Sequence, residues 1–366
     1  MADNILTNPA VANNTEVDTL LIEKFIGVVH QEYLKGESLL SDFMVQNVVG
    51  TNMVSNKSIG DTTLQTLTPG QDPDATATEM NKNALLIDTI VLGRNSVHTL
   101  HDIQNDFEVM TKLAKNQVGK LNIMEDQMVI QQVAAGALTG GAYDPYANTI
   151  TGGVSRVSGQ GVAINVELKN DDTQAADPYQ LMSAIEIALM GLIIQRVPVG
   201  QMKIIVPISE FGILNDYKFI GDVQGGDSMV DTSMAVLRGR LKGWNIPIMG
   251  SAEFTQMKLN PHFGATHHLL SNANNGNRYD VTADMQAANA LIYASDGLLT
   301  GRTITLQGDI FFDKKSKTFF IDSWLSEGAI PDRFDNLAVV GSTAVADNAA
   351  VLAKAKGKST ATKVYA

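Results

Sequence analysis

From Asp102 to Val133 apolar residues recur at steps of mostly three and four, at Ile103, Phe107, Met110, Ala114, Leu121, Met124 and Met128. That spacing predicts one long amphipathic helix, roughly 45–50 Å from end to end, with Asp102 as its N-cap. Gly136, Gly140 and Gly141 are expected to end it. Just upstream, Leu85, Ile87 and Thr89 alternate with Leu86, Asp88 and Ile90, the period of a strand over Ala84–Leu92. Ahead of that strand the hydrophobic pattern fails. Gly50–Asn52, Asn56–Gly60 and Thr62–Thr68 are polar, Pro69-Gly70 makes a turn, and Asp72–Glu79 is acidic. A long extended stretch that buries no core of its own, tied to a long helix, has to find its packing partner on another chain.

The rest of the chain reads as a series of shorter elements. Residues 1–16 are polar and form an extended arm, and Val17–Val29 has helical spacing. Thr139–Gly161 is rich in Gly, Tyr, Asn and Ser and reads as a surface loop. A second helix starts at Asp177 (N-cap), Pro178 and Gln180 and is expected to run to Val197, where Pro198 and Gly200 stop it. Met202–Val206 is a short strand, followed by a helix capped by Ser209 and running through Leu214. Met234–Leu241 reads as another helix, and Ile246–Met249 and Ala290–Tyr293 as strands. This alternation suggests a compact lobe between about 200 and 300, with a polar connection at His262–Met285. Arg302–Ile310 and Lys317–Trp324 alternate around the turn Asp313–Ser316, a hairpin signal. Ser326–Asp332 then turns the chain into a last strand, Phe334–Val340, and the final twenty-odd residues read as a flexible tail.

Composition narrows the function classes. At 366 residues, 44% hydrophobic and 18% charged, the chain can bury a sizeable core. A formal charge of −12 argues against a general binder of nucleic acid or anionic membranes, although not against a protein that encloses nucleic acid. With no cysteine there are no disulfides and no thiolate chemistry, which fits a reducing compartment. The start, Met1-Ala2-Asp3-Asn4, lacks the regions of a signal peptide. The most apolar span, Leu181–Val197, holds Ser183, Glu186, Gln195 and Arg196 and reads as a core helix rather than a membrane crossing.

Candidate chemistry is thin. His98, His101 and Asp102 could bind a divalent metal, but a strand-to-helix junction with an Asp cap explains them equally, and no further ligand is in view. His267-His268 are adjacent and point apart in any regular structure. Asp171-Asp172 sit in a polar loop, and Gly159-Gln160-Gly161 lacks the third glycine of a phosphate cradle. Arg238, Arg240 and Lys242 cluster on the helix expected over Met234–Leu241 and could meet an acidic neighbour. None of this is an enzyme signature.

In the order of its elements, from about residue 17 to 341, the chain resembles the major capsid proteins of tailed bacteriophages, most closely the short-tailed podovirus branch. The stretch Val48–Asn81, with Ser58-Ile59-Gly60 and Leu67-Thr68-Pro69-Gly70 ahead of Ala84–Leu92, resembles the family's extended loop (E-loop). Asp102–Val133 resembles the spine helix of the peripheral (P) domain, and Lys203–Pro207 with Leu241–Ser251 resemble the axial (A) domain. Phe311–Pro331, closing on Gly328 and Pro331-Asp332-Arg333, resembles the returning P-domain strands, although the family's closing Arg-Pro is replaced.

The resemblance implies an α+β Hong Kong 97-type fold. Its parts would be an N-terminal arm and short helices at 1–47, the E-loop at 48–83, and a P-domain at 84–200 with the spine helix at 102–133. An A-domain at 201–300, returning P-domain strands at 301–341 and a tail at 342–366 complete it. It implies a structural protein rather than an enzyme, without cofactor, assembling as pentamers and hexamers into an icosahedral shell around double-stranded DNA. A separate scaffolding protein, a portal and a cement or decoration protein are the implied partners. No membrane is implied, and the location is the virion capsid, assembled in the bacterial host cytoplasm. Inter-subunit contacts would come from Lys57, Ile59, Leu64, Leu67 and Pro69, and spine packing from Ile103, Phe107, Met110, Leu121, Met124 and Met128. Some relatives weld an E-loop lysine to a neighbouring asparagine, for which Lys57 is the one candidate in Val48–Asn81; a surface ion pair is the plainer role. An encapsulin-like nanocompartment shell shares the fold and is the alternative, and a metal-dependent hydrolase using His98, His101 and Asp102 is a third reading.

Overall fold

The computed structural model describes residues 27, 29, 39–59, 65–72, 80–98, 108–139, 141–144, 149–150, 162–165, 178–221, 236–259 and 267–341. The arm at 1–16, Asp102 and its cap, Asp171-Asp172, Gly159-Gln160-Gly161 and the tail at 342–366 lie outside them, as does Val17–Val29 apart from Gly27 and Val29. Helix and strand are mixed throughout, an α+β architecture.

A nine-stranded sheet carries most of the hydrophobic mass. Its strands are β5 (Gly141–Asp144), β6 (Thr149–Ile150), β7 (Val162–Asn165), β8 (Met202–Pro207), β9 (Ile220–Gly221), β10 (Val236–Leu241), β11 (Pro247–Ser251), β12 (Ala288–Ala294) and β15 (Leu337–Gly341). They lie in the order β6-β5-β7-β15-β12-β8-β11-β10-β9. Both faces are covered, so the central strands are apolar at consecutive positions rather than alternate ones. Ile205, Leu291 and Val339 enter one core with helices α1 (Glu108–Leu138) and α4 (Ala252–Leu259). Their neighbours Ile204, Ile292 and Val340 enter a second core, on the opposite face, with α2 (Pro178–Ile194) and α3 (Ile208–Asp216).

A four-stranded sheet, in the order β1-β13-β14-β4, flanks the other side of α1. It comprises β1 (Val45–Asn47), β4 (Val91–His98), β13 (Leu298–Asp313) and β14 (Thr318–Pro331). A third, two-stranded unit pairs β2 (Met53–Ile59) with β3 (Met80–Leu86) in antiparallel register, Met53 opposite Leu86 and Ile59 opposite Met80.

Helix α1 joins the two larger sheets, and its packing corrects the expectation of a single apolar stripe. From Met124 to Ala134 every residue except Asp126 is buried, glutamines included. The glutamines are satisfied there because their amides reach loop and strand backbone. Gln131 donates to the carbonyls of Arg278 (2.8 Å) and Asp280 (3.1 Å), and Gln117 donates to the Ile321 carbonyl (3.0 Å) and the Asn95 side chain (2.7 Å). The helix also continues past Gly136 to Leu138. A Cβ at Gly136 would lie 2.5 Å from Leu337 Cδ1 and 2.8 Å from Pro331 Cβ, so this glycine permits close packing instead of ending the helix.

Other expectations change for comparable reasons. The single strand over Ala84–Leu92 is two strands in different sheets, β3 and β4, separated at the buried Ile87. Within the helix expected over Met234–Leu241, the described residues Val236–Leu241 form strand β10 instead, because they find antiparallel partners on β11 and β9. The Thr139–Gly161 loop contributes β5 and β6 to the large sheet. Helix α2 stops at Ile194, three residues early: Arg196 adopts φ 64, and the Val197 amide closes back on the Leu192 carbonyl at 3.1 Å. Pro207 rather than Ser209 occupies the N-cap of α3, and the free Ile208 amide is met by Thr255 Oγ1 at 3.0 Å. α2 packs with α3 in the second core, and β15 belongs to the large sheet, turning Leu337 and Val339 toward α1 and Ala338 and Val340 toward α2. α4 and the short α5 (Ala283–Gln286) were not anticipated. Among the described residues, no helix is long and apolar enough to cross a membrane.

Candidate functional site

The β2–β3 hairpin is the stretch that the sequence left without a core, and its base has one after all. Val54 and Leu85 alternate inward and, with Ile87, Leu299 and Ile330, form a small separate cluster. The cluster exists because two glycines face each other across β13 and β14. Gly301 is in register with Gly328, and a Cβ at Gly301 would fall 2.6 Å from Val54 Cγ2. A Cβ at Gly328 would stand 3.0 Å from the Tyr279 hydroxyl and 3.2 Å from Leu85 Cδ1. Missing side chains on the sheet therefore make the seat into which hairpin side chains fit.

Polar contacts fix the register of that seat. Asn56 Nδ2 donates to Asp332 Oδ2 (2.6 Å), Asn83 Nδ2 to the Pro331 carbonyl (2.7 Å), and the Ile87 amide to the Asn52 carbonyl (2.8 Å). Tyr279 spans the floor: its hydroxyl donates to the Ala329 carbonyl at 3.1 Å and accepts from the Ala329 amide at 3.2 Å. Burial pushes this phenol up to about 12, so it stays protonated and keeps both bonds.

Beyond the base the hairpin leaves the body. Its outer face shows Met53 and Leu86, and further out Leu67 and Met80 are 57% and 77% exposed. Large apolar side chains at that exposure, on a strand pair that would be marginal alone, describe a surface waiting to be covered.

Beneath the seat lies a charged cluster that ties α1 to the β13–β14 hairpin. Arg302 Nη2 lies 2.8 Å from Glu327 Oε2 and 3.4 Å from Glu125 Oε1, and both carboxyls are fully enclosed. Burial, and then the Glu125 charge, pushes the Glu327 carboxyl up to about 8 despite Arg302. One guanidinium cannot neutralise two buried carboxylates, so the pair retains a proton at neutral pH.

The sequence-predicted residues are placed as follows. Lys57 is exposed on β2 directly opposite Lys82, and Ile59 ends the same strand. Leu67 and Pro69 are exposed beside the turn closed by the Gln71 amide on the Thr68 carbonyl (3.1 Å), and Leu64 lies outside the described residues. Leu121, Met124 and Met128 are buried in the first core, Met110 lies in the first turn of α1, and Ile103 and Phe107 lie outside the described residues. His98 ends β4, whereas His101 and Asp102 lie outside. His267 is exposed and sits 2.6 Å from Asp280, while its neighbour His268 is buried. Burial pushes His268 down to about 4 although Asp280 opposes it. Arg238, Arg240 and Lys242 share one side of β10 and its end by the period of two, not by a helical turn.

The sequence reading named Gly328 only as part of the closing motif, and it missed Gly301, Tyr279 and the Glu125–Arg302–Glu327 cluster. Each is significant only through a partner 25 or more positions away.

No family model matches this sequence, and no curated protein gives a significant match. The fold nevertheless has close counterparts among solved structures. It is similar to the asymmetric unit of the mature capsid of bacteriophage PhiM1 (TM-score 0.59, 17% identity, covering 84% of this chain and 88% of that one). It is also similar to the capsid structure of cyanophage P-SCSP1u (TM-score 0.63, 14% identity, again 84% and 88%). The chain has the Hong Kong 97-type capsid fold.

Proposed function

We propose that this chain is the structural major capsid protein of a tailed bacteriophage, self-assembling as pentamers and hexamers into an icosahedral shell around double-stranded DNA. The observation that carries the reading is the β2–β3 hairpin: anchored by a small core at its base and projecting exposed apolar residues, within a capsid fold. The hairpin serves as the E-loop laid over a neighbouring subunit, with Lys57, Ile59, Leu64, Leu67 and Pro69 supplying its contacts. Many modest contacts per subunit add up to a stable shell by multivalency. The formal charge of −12 keeps packaged DNA from adhering to the wall.

In this reading the peripheral domain is α1 with the four-stranded sheet, and the axial domain is built on the nine-stranded sheet. α2 is assigned to the axial side, because its partners lie in the second core. A separate scaffolding protein, a portal and a cement protein are the expected partners, the virion capsid the location, and the podovirus branch the affiliation.

The test is negative-stain electron microscopy of the protein expressed in bacteria, alone and with any small acidic helical protein encoded upstream. Closed shells, or isolated pentamers and hexamers, are expected. Deletion of residues 52–74 is expected to leave a soluble, folded, unassembled subunit. Monomers or dimers under every condition would refute the shell reading, whereas normal shells from the deletion would refute the E-loop assignment alone.

A further inference from the structure

We propose that Lys258 and Asn289 become joined by an amide bond within one chain, from Lys258 Nζ to Asn289 Cγ, with Glu210 carrying the proton. The site is separate from Lys57 and the β2–β3 hairpin, and the proposal does not depend on the shell reading.

Three elements bring the groups together. Glu210 is in the first turn of α3, Lys258 in the last turn of α4, and Asn289 near the start of β12. The Ile208 amide on Thr255 Oγ1 (3.0 Å) ties the start of α3 to α4. Phe211 anchors α3 in the second core, and Phe254 and Met257 anchor α4 in the first. In β12 the pairing with β15 shifts between Ala288 and Ala290, so Asn289 is an extra residue with no opposite number on β15. A bulge of this kind re-aims the side chain it carries.

The contacts set up a reaction rather than an ion pair alone. Lys258 Nζ donates to Glu210 Oε1 at 3.1 Å and to Asn289 Oδ1 at 2.5 Å. Asn289 Nδ2 donates to the Ala287 carbonyl (3.2 Å), which fixes the plane of the carboxamide. The Ser209 hydroxyl takes the second Glu210 oxygen and leaves Oε1 to the lysine. With a C=O bond of about 1.23 Å, Asn289 Cγ lies within about 3.7 Å of Nζ. Reacting atoms in a near-attack geometry are about 3–3.5 Å apart. The site is also sheltered: Asn289 is 6% exposed, and the Lys258 and Glu210 side chains 24% and 9%. Holding an amine on a carboxamide in this way is equivalent to a concentration of about 10⁵–10⁸ M.

The step balances without a cofactor or an oxidant. The Lys258 ammonium gives one proton to Glu210, and the freed lone pair of Nζ bonds to Asn289 Cγ. Glu210 passes that proton to Nδ2 and takes a second one from Nζ. The Cγ–Nδ2 bond then breaks with its electron pair on nitrogen, and ammonia leaves, collecting the second proton from Glu210 as ammonium. One amide has replaced another, and Glu210 is unchanged.

The two residues are 31 positions apart. Between them lie Arg278 and Asp280, whose carbonyls receive Gln131, and Tyr279, the floor of the hairpin seat. The bond closes this stretch into a loop and limits how far the seat can part from the large sheet.

The test is the intact mass of the full chain, expressed in bacteria and denatured, followed by tryptic mapping. Wild type should weigh one ammonia less than its sequence. Lys258 should resist trypsin, and its peptide should be joined to the one holding Asn289 in a branched product. Lys258→Arg and Asn289→Ala should each restore the full mass. Glu210→Gln should slow linkage at least about a hundredfold, and linkage at the wild-type rate would overturn the role given to Glu210. The wild-type mass decides the bond itself, whether or not a variant folds. Asn275 precedes Gly276 and can lose ammonia by closing on its own backbone. Ammonia loss mapped there with Lys258 free, or a full wild-type mass, overturns the proposal. Either result leaves the shell reading standing, because that is read from particles.

Discussion

Replacing Leu85 by alanine should release the β2–β3 hairpin from the body while leaving the two large cores intact. Leu85 is completely buried in a cluster of five, Val54, Leu85, Ile87, Leu299 and Ile330, that shares no member with either larger core. Losing a buried leucine costs about 2–5 kcal/mol, depending on how far the site collapses. The cluster has little to spare against that loss. Beyond its apolar contacts, the described hairpin residues are held to the body mainly by three hydrogen bonds, from Asn56 to Asp332 and from Asn83 to the Pro331 carbonyl and Asp332, each worth about 0.5–1.5 kcal/mol. A two-stranded hairpin does not persist in water unaided. At about 1.4 kcal/mol per factor of ten, amide exchange in β2 and β3 should accelerate roughly 30-fold to several-thousand-fold. Exchange in β12, central in the large sheet, should stay within a factor of about three. Gly301→Val provides a second route, since a side chain there displaces Val54 from below. Unchanged exchange in the hairpin for both variants, or an equal loss in β12, would refute a separately stable seat.

Three further outcomes follow from the buried groups. Gly136→Ala should cost about 1–3 kcal/mol of global stability in denaturant unfolding, because its Cβ would meet Pro331 at 2.8 Å as well as Leu337; a neutral result would mean that the helix and the strand end move apart easily. His268 titrates at about 4 in the folded chain and 6.5 unfolded, so its contribution is complete above pH 6.5 and is lost as pH falls toward 4. The loss is about 3 kcal/mol at the limit, and a variant such as His268→Gln should flatten that limb of the stability–pH curve, measured by urea unfolding. Glu327 has the opposite sign. Burial raises its pKa from 4.5 to about 8, so the folded chain holds a proton that the unfolded chain has released, and stability falls as pH rises from 4.5 toward 8. Glu327→Gln should remove that decline, and an unchanged slope would show that the retained proton is not in this cluster.

The sequence by itself determined what depends on local spacing. The long helix was legible because apolar residues recur at helical steps over many turns, and the β13–β14 hairpin because alternation flanks an Asp-Lys-Lys-Ser turn. The exposed loop around Pro69-Gly70 was legible from its lack of any apolar period. Tertiary structure decided whatever depends on a distant partner. Val236–Leu241 is a strand because β9 and β11 offer edges on either side of it, which its own Arg-Gly-Arg alternation did not announce. Ala84–Leu92 is divided between two sheets because Leu85 and Ile87 are drawn into the glycine seat while Val91 turns to face α1. Gly136 lies inside a helix because Leu337 and Pro331 leave no room for a side chain there. The seat itself needs Gly301 and Gly328 opposite each other, 27 positions apart in sequence. A glycine's value there is the space it leaves, and only the packed neighbours define that space.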